Sequence, residues 1–461
     1  MADLGADPGV AGSGEALVIG GHRLLSGSPS GPGTGWPPGV AAENRTKRGR
    51  RQSPSVTCGD VRARHATTPV RVSAGRGNRP LDTKAYFVKH LFMTAAVAGS
   101  WRDVKRPLWP LALVVPALPF AALLLARATG SGWAWWLTPV FILGVIPVID
   151  LLVGDDRANP PEEAVPALQA SPYYRWITFL FLPAQYAALV ITCAAWTRQP
   201  GLGLVLTAGL VNGIAINTAH ELGHKRETVE RWLSKIALAP TGYGHFFVEH
   251  NRGHHVRVAT PEDPASSRLG ESFWRFWPRT VLGSLRSAWH LETSRHRLRG
   301  RSPWRLHNDI LNAWLMTVVL FAALTAVFGP AILVFLVLQA VVGFSVLEAV
   351  NYLEHYGLLR QRTPTGRYEK VDPRHSWNSD RLTTNIFLFQ LQRHSDHHAN
   401  PQRRYQTLRT FEVSPQLPAG YATMLLLALV PPLWRRVMDH RVLDHYRGDA
   451  TLANAAGRSA Q

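Results

Sequence analysis

Residues 202–225 read LGLVLTAGLVNGIAINTAHELGHK. The run from 202 to 219 carries no charged residue, and about 20 apolar residues of helix cross the hydrocarbon core of a bilayer. It ends in His220-Glu-Leu-Gly-His224, two imidazoles four apart, which face the same way on a continuing helix. The stretch thus predicts a membrane span with a candidate metal-ligand pair where the helix leaves the lipid.

Five more uncharged or nearly uncharged runs follow the same reading, at 108–126, 133–153, 176–196, 310–328 and 331–353, with tryptophans such as Trp109, Trp133, Trp176 and Trp196 at their ends. The predicted fold is an all-α integral membrane bundle of six transmembrane helices in three hairpins. Tiny loops at 127–132, 197–201 and 329–330 alternate with long segments at 154–175, 220–309 and after 355. Residues 220–308 alone hold 15 Lys+Arg against 8 Asp+Glu, which places that side, and with it both termini, in the cytoplasm of a cell with an inner membrane. A last apolar run, 421–434, is short and interrupted by Pro431 and Pro432, so an interfacial or re-entrant segment is expected rather than a seventh span.

The 461-residue chain has 50 Lys+Arg and 31 Asp+Glu, a formal charge of +19. Such a balance would ordinarily point to nucleic acid; topology accounts for it here, and no nucleic-acid partner is expected. With only Cys58 and Cys193, disulfide scaffolds, cysteine zinc ribbons and iron–sulfur clusters are excluded. Residues 1–92 are rich in Gly, Pro, Ser and Arg, show no helical or strand period and carry a net charge of +7. They read as a disordered basic extension, dispensable or preceding the true start at Met93. Residues 93–440 form the expected membrane domain, and 441–461 a flexible tail.

Nine of the 19 histidines fall in four boxes. Beyond His220 and His224 these are Glu249-His250-Asn-Arg-Gly-His254-His255, Asn351-Tyr-Leu-Glu354-His355 and His394-Ser-Asp396-His397-His398. Neutral imidazole suits iron, copper, zinc and nickel, and nine rings exceed the three or four protein ligands of one catalytic zinc, so two metals are the natural reading. His22, His65, His90, His290, His296, His307, His440 and His445 stand alone and read as ordinary core or surface residues. His245 and His375 are expected to support the site rather than ligate. A metal transporter would place ligands near the midplane of several spans; these boxes lie at or beyond helix ends.

HELGHK, EHNRGHH, NYLEHYGL and LQRHSDHHANPQRRYQ, with DLLVGDDRANPPEE (150–163) and TPEDPASSRLGESFWRFW (260–277), resemble the membrane alkane 1-monooxygenase (AlkB) family. That family lies within the histidine-rich diiron desaturase and hydroxylase superfamily, and the resemblance covers about residues 93–440. It implies a six-helix bundle capped by a cytoplasmic histidine-rich diiron domain. It also implies hydroxylation of the terminal methyl of medium- or long-chain n-alkanes by dioxygen. Electrons would come from a separate rubredoxin, served by rubredoxin reductase; the chain has no Cys-x-x-Cys pair of its own. The implied ligands of the two iron ions are His220, His224, His250, His254, His255, His355, His394, His397 and His398, with their division between the ions left open. Three boxes are shared with fatty-acid desaturases and xylene or other aromatic-methyl monooxygenases, the alternative reading; NYLEHYGL and LQRHSDHHA are more specific.

Among the carboxylates beside the boxes, Glu249 and Glu354 are candidates to hold the outer nitrogen of a ligating ring, as are Glu221 and Asp396 to a lesser degree. Salt bridges to nearby arginines are the plain alternative. Glu348, two helical turns before His355, is expected to support the metal site, since an acid inside a span is functional by default. Asp150, at the end of a span, is functional by the same rule, with snorkelling to the interface beside its polar loop as the plain alternative. Arg393, Arg403, Arg404 and Arg409 are expected to steer an acidic rubredoxin, unless they pair internally or meet anionic lipid.

Overall fold

A computed structural model describes residues 101–455. The expected extension with His22, His65 and His90, and the last six residues of the expected tail, lie outside the described residues. Helices supply the regular structure, and β pairing among the described residues is limited to isolated bridges. Among the described residues, six helices are long and apolar enough to cross a membrane. Four come first: α1 (Trp109–Thr129), α2 (Gly132–Val153), α3 (Pro172–Trp196) and α4 (Leu202–Gly223). Two more polar helices intervene, the short α5 (Thr228–Leu238) and the long α6 (Phe273–Arg297). The remaining spans are α7 (Asp309–Phe328) and α8 (Ile332–His355).

The apolar edges read from sequence are close to these bounds, but α4 and α8 run on through His220 and His355. Packing explains the overrun. The apolar window of α4 is 89% buried inside the protein, against 17% for α7, so α4 is the central post and its end emerges into protein rather than water. Glycines bring α4 and α8 together: a Cβ at Gly213 would lie 2.8 Å from the Gly343 carbonyl oxygen, the small-residue contact that lets membrane helices approach. A buried amide chain locks the same helices. Gln185 of α3 donates to Asn212 of α4 (3.0 Å), Asn212 donates to Gln339 of α8 (2.8 Å), and Gln339 donates to the Pro240 carbonyl (2.7 Å). In α2, a π-helical turn at Phe141–Val145 precedes Pro147, whose missing N–H loosens the α ladder.

After α8 come short helices, α9 (Leu382–Phe387), α10 (His394–Ala399) and α11 (Tyr421–Ala428), then α12 (Pro431–His445). The run 421–434 is therefore split ahead of its two prolines into pieces too short to span. Two expectations are corrected here. The segment after 440 is no loose tail as far as Asn454: Val442 is fully buried, and Asn454 bonds through its backbone to Leu269 and Gly357. Asp150 does not snorkel. It is buried and accepts from the Thr384 amide (3.0 Å) and hydroxyl, which fastens the start of α9 to the end of α2.

Candidate metal centre

The nine boxed histidines converge on two groups: His220, His224, His250, His255 and His397 in one, His254, His355, His394 and His398 in the other, each with ligand atoms within 4.8 Å of one another. Helix ends deliver most of them. His220 and His224 stand one turn apart where α4 ends, His355 is the last residue of α8, and α10 presents three rings within its six residues. The second box is not α-helical. Glu249–His254 forms a π-turn, and its wider winding puts His250 and His255, five apart, in one group while His254 turns to the other. α10 divides likewise: His394 and His398, four apart, face one group and His397 the other.

The nitrogens are spaced for ions. Nε2 of His397 is 2.9 Å from that of His220 and 3.0 Å from that of His255, which is 3.0 Å from that of His250. In the second group the Nε2 of His398 lies 2.8 Å from that of His394 and 3.2 Å from that of His254. Two nitrogens bound at right angles to one ion at about 2.1 Å lie roughly 3 Å apart, so the spacing suits shared coordination. Nε2 of His224 and of His355 are buried with no protein partner. Burial, aided by the neighbouring rings, holds His224, His250, His255, His394, His397 and His398 well below their ordinary pKa; they are neutral and present lone pairs.

The groups that fix these rings are mostly not the expected ones. Asp263, which sequence reading passed over, accepts from Nδ1 of His254 at 2.9 Å and from the Ser266 hydroxyl at 2.6 Å. Burial alone would raise its carboxyl, but the His254 ring and these bonds outweigh it and hold the value at about 2. The sequence signals were its position eight residues past the second box and its place in the family-like stretch 260–277. Nδ1 of His355 faces the His375 carbonyl at 3.4 Å, which gives His375 the supporting role expected of it, through its backbone; its ring caps its own turn with Asp372.

Three of the four carboxylates expected at outer nitrogens pair with cations instead. Glu221 pairs with Lys225 (3.0 Å), Asp396 with Arg403 (2.8 Å), and Glu249 with Arg257 (2.7 Å); burial pushes the Glu249 carboxyl up to about 7. Glu348 accepts from Tyr243 (2.7 Å), Thr280 (2.8 Å) and Asn351 (3.1 Å), and so braces α8 against α6 without bonding a ligand ring. Glu354 does reach a ring, but at Nε2 of His394 (3.2 Å), the inward nitrogen, while accepting from Tyr421 (3.0 Å). It therefore faces the metal space itself. His245 is buried against Tyr243, outside both groups.

The arginines expected to meet a redox partner are paired internally. Arg393 is only 1% exposed and donates to the carbonyls of Asp156, Ala158 and Leu408, so it cannot form part of a docking surface; it ties the 154–164 loop to α10. Arg404 pairs with Glu230 (2.8 Å), Arg403 with Asp396, and Arg409 with Glu162 (2.9 Å). A second charge network braces the π-turn from outside: Arg252, between two of the clustered histidines, donates to Glu292 of α6 and Asp309 of α7 (2.6 Å).

An apolar cavity leads from the bundle to the histidines. Val115, Ile142, Ile146, Leu210, Phe387 and Leu391 line it together with His220, His250, His394 and Glu354, around about 830 Å³ of space between atoms, part of it open to the outside. Its wall offers hydrocarbon almost throughout, with Asn217, Asn351, Thr384 and Tyr421 the polar lining besides the imidazoles and Glu354.

Residues 195–428 match the fatty acid desaturase family model. Alkane 1-monooxygenase 1 of Alcanivorax borkumensis is 49% identical over 354 residues, covering 75% of this chain and 87% of the relative. The alkane 1-monooxygenase of Ectopseudomonas oleovorans is 49% identical over 357 residues, 76% of this chain and 89% of the relative. The hydroxylase component of xylene/toluene monooxygenase of Pseudomonas putida is more distant, 24% identical over 347 residues, 72% of this chain and 90% of the relative. The protein is a multi-pass membrane protein and an oxygen-incorporating oxidoreductase. By its kinship and its converging histidines, the chain belongs to the alkane 1-monooxygenase family, within the fatty acid desaturase family.

Proposed function

We propose that this protein hydroxylates the terminal methyl group of medium- or long-chain n-alkanes, using dioxygen and two irons held by the nine clustered histidines. The observation that carries the reading is the apolar cavity ending on the two imidazole groups. An alkane offers no polar handle, so only shape and apolar contact can hold it, and its C–H bond yields to neither acid–base nor nucleophilic attack. Two irons bound by the histidines would supply the dioxygen chemistry this bond requires. The overall change is RH + O2 + 2 e⁻ + 2 H⁺ → ROH + H2O.

The chain's own residues do the rest. Ile142, Ile146, Phe387 and Leu391 confine the hydrocarbon and exclude water, so that the methyl end is presented to the histidine end of the cavity. Glu354, shared between Tyr421 and His394, places a polar atom where the product hydroxyl emerges. Asp263 holds the His254 ring by Nδ1 and leaves Nε2 to face inward.

The electron donor proposed is rubredoxin, reduced by rubredoxin reductase. The excess of Lys+Arg in residues 220–308 supports a cytoplasmic histidine side in an inner membrane, with both termini on that side. The catalytic domain is proposed to begin near residue 93 and to extend through Asn454, whose backbone is bonded into it. The test is product analysis over an alkane length series with reconstituted rubredoxin and reductase, alongside metal analysis. Formation of 1-alkanols with about two irons per chain supports the reading. Zinc alone, or an alkene from a fatty acyl chain with no alkanol from alkane, would overturn it.

A further inference from the structure

Between α6 and α7 the chain reads Arg297-Leu-Arg-Gly-Arg-Ser-Pro-Trp304-Arg305-Leu-His307, four arginines and no carboxylate. The segment is built, not trailing. The amides of Gly300 and Arg301 close the end of α6 on the carbonyls of Arg297 and His296, with Gly300 at φ +63°, a backbone that glycine adopts without strain. Asn308 donates to the Pro303 carbonyl and caps α7 through Ile310 and Leu311. Trp304 packs 5.0 Å from Trp289 of α6, which lies parallel to Trp314 of α7 at 6.4 Å. This indole ladder fixes the loop beside the first turns of a membrane span.

What the loop presents is unusual for a surface facing only water. Arg297, Arg299, Arg301 and Arg305 are exposed, and none has a carboxylate partner among the described residues. Interleaved with them, Leu298 is 89%, Trp304 73% and Leu306 61% exposed. Arg252, Arg295, Arg403 and Arg404, by contrast, each hold a carboxylate. Unpaired cations alternating with exposed indole and aliphatic groups, at the mouth of a span, match a phospholipid surface: guanidiniums for phosphates, Trp304 for the headgroup layer, leucines for the upper acyl chains.

We propose that residues 297–307 form a docking site for anionic phospholipid in the bilayer leaflet on the histidine side. The apolar groups favour lipid over an acidic protein partner, which would leave Leu298 and Leu306 without a counterpart in its charged surface. The loop also adjoins groups that brace the histidine-bearing turn. α6 carries Glu292 and Arg295 just before the loop, and Glu292 holds Arg252 within the histidine-bearing π-turn. The inference depends on the loop and its adjoining span, not on the substrate proposed above.

The test uses the full-length protein in detergent, with fluorescent phosphatidylglycerol or phosphatidylcholine titrated into it. The wild type is expected to prefer phosphatidylglycerol, with affinity falling as salt rises. The triple variant Arg299→Gln, Arg301→Gln, Arg305→Gln should weaken phosphatidylglycerol binding roughly a hundredfold, at about a factor of five per charge. The corresponding triple Lys variant should retain most of it. Metal content unchanged in the Gln variant shows that it folds; if it does not fold, the headgroup and salt comparison on the wild type decides alone. Equal binding of the two lipids by the wild type overturns the proposal. So does a folded Gln variant that binds phosphatidylglycerol normally but shows a raised KM for the protein electron donor, since the patch would then serve that partner.

Discussion

Replacing Asp263 tests whether the clustered histidines work as two ion sites with separate supports. Its Oδ2 accepts from both Nδ1 of His254 (2.9 Å) and the Ser266 hydroxyl (2.6 Å), and its Oδ1 accepts from the Ala265 amide (3.2 Å). Asp263→Asn keeps the size but makes one of these acceptors an NH2 group. Whichever way the amide turns, a donor then faces a donor in a buried pocket. The His254 ring loses its charge partner in either orientation, and loses the bond that fixes its tautomer where the NH2 group takes the Oδ2 position; a change of this kind lowers metal affinity about 10–100-fold, or about 1.4–2.7 kcal/mol. Only the four-histidine group contains His254. Iron retention against a graded chelator should therefore split: the five-histidine group keeps its ion and the other releases it, leaving a plateau near one iron per chain. Asp263→Ala should add about 1–3 kcal/mol of fold destabilisation from the unsatisfied buried donors. A chelator curve for Asp263→Asn that superimposes on the wild type, with both ions held equally, would refute the reasoning.

Further outcomes are expected. His397→Ala should abolish alkane oxidation while the protein still inserts in the membrane, and wild-type turnover would remove His397 from the ligand set. Six of the clustered histidines, His224, His250, His255, His394, His397 and His398, are held low by burial; they stay neutral when folded but take up protons when unfolded, so metal-free stability should be intact above the ordinary value of about 6.5 and fall below it. The loss approaches roughly 1.4 kcal/mol per ring per pH unit, and a thermal midpoint constant from pH 7.5 to 5.5 would contradict it. Gly213→Ala drives a methyl against the Gly343 carbonyl and should cost about 1–3 kcal/mol, seen as a lower unfolding midpoint in detergent. Arg393→Ala strips buried carbonyls and Asp156 of their donor and should destabilise by about 3–5 kcal/mol; a stable variant with only a raised KM for the electron donor would restore Arg393 to a docking role.

The spans and the histidine boxes were legible because each rests on a local pattern: an uncharged run long enough for the bilayer, or rings at helical spacing. What escaped depends on winding and on distant partners. The 249–255 box looks like two rings four apart with a neighbour, and nothing in its letters announces the π-turn that pairs His250 with His255. Asp263 is invisible as a support until the loop after the box folds back on His254. Arg393 stands among basic residues beside a histidine box and reads as surface, yet carbonyls more than 230 residues away along the chain enclose it. Asp150 reads as interfacial by its nearness to a polar loop, and Thr384, 234 residues on, keeps it inside.

The winding at Glu249–His254 bears on how far apart the two ions can stand. His254 and His255 are joined by one peptide unit, about 3.8 Å between Cα atoms, yet they serve different groups, and His397 and His398 repeat the arrangement on α10. The interval between the sites is thus set twice over by covalent geometry rather than by loops that could yield. It behaves as a fixed gauge. Removing Gly253 would take one residue out of the π-turn, break the five-residue spacing of His250 and His255 and collapse the gauge altogether, whereas lengthening a surface loop elsewhere would leave it untouched.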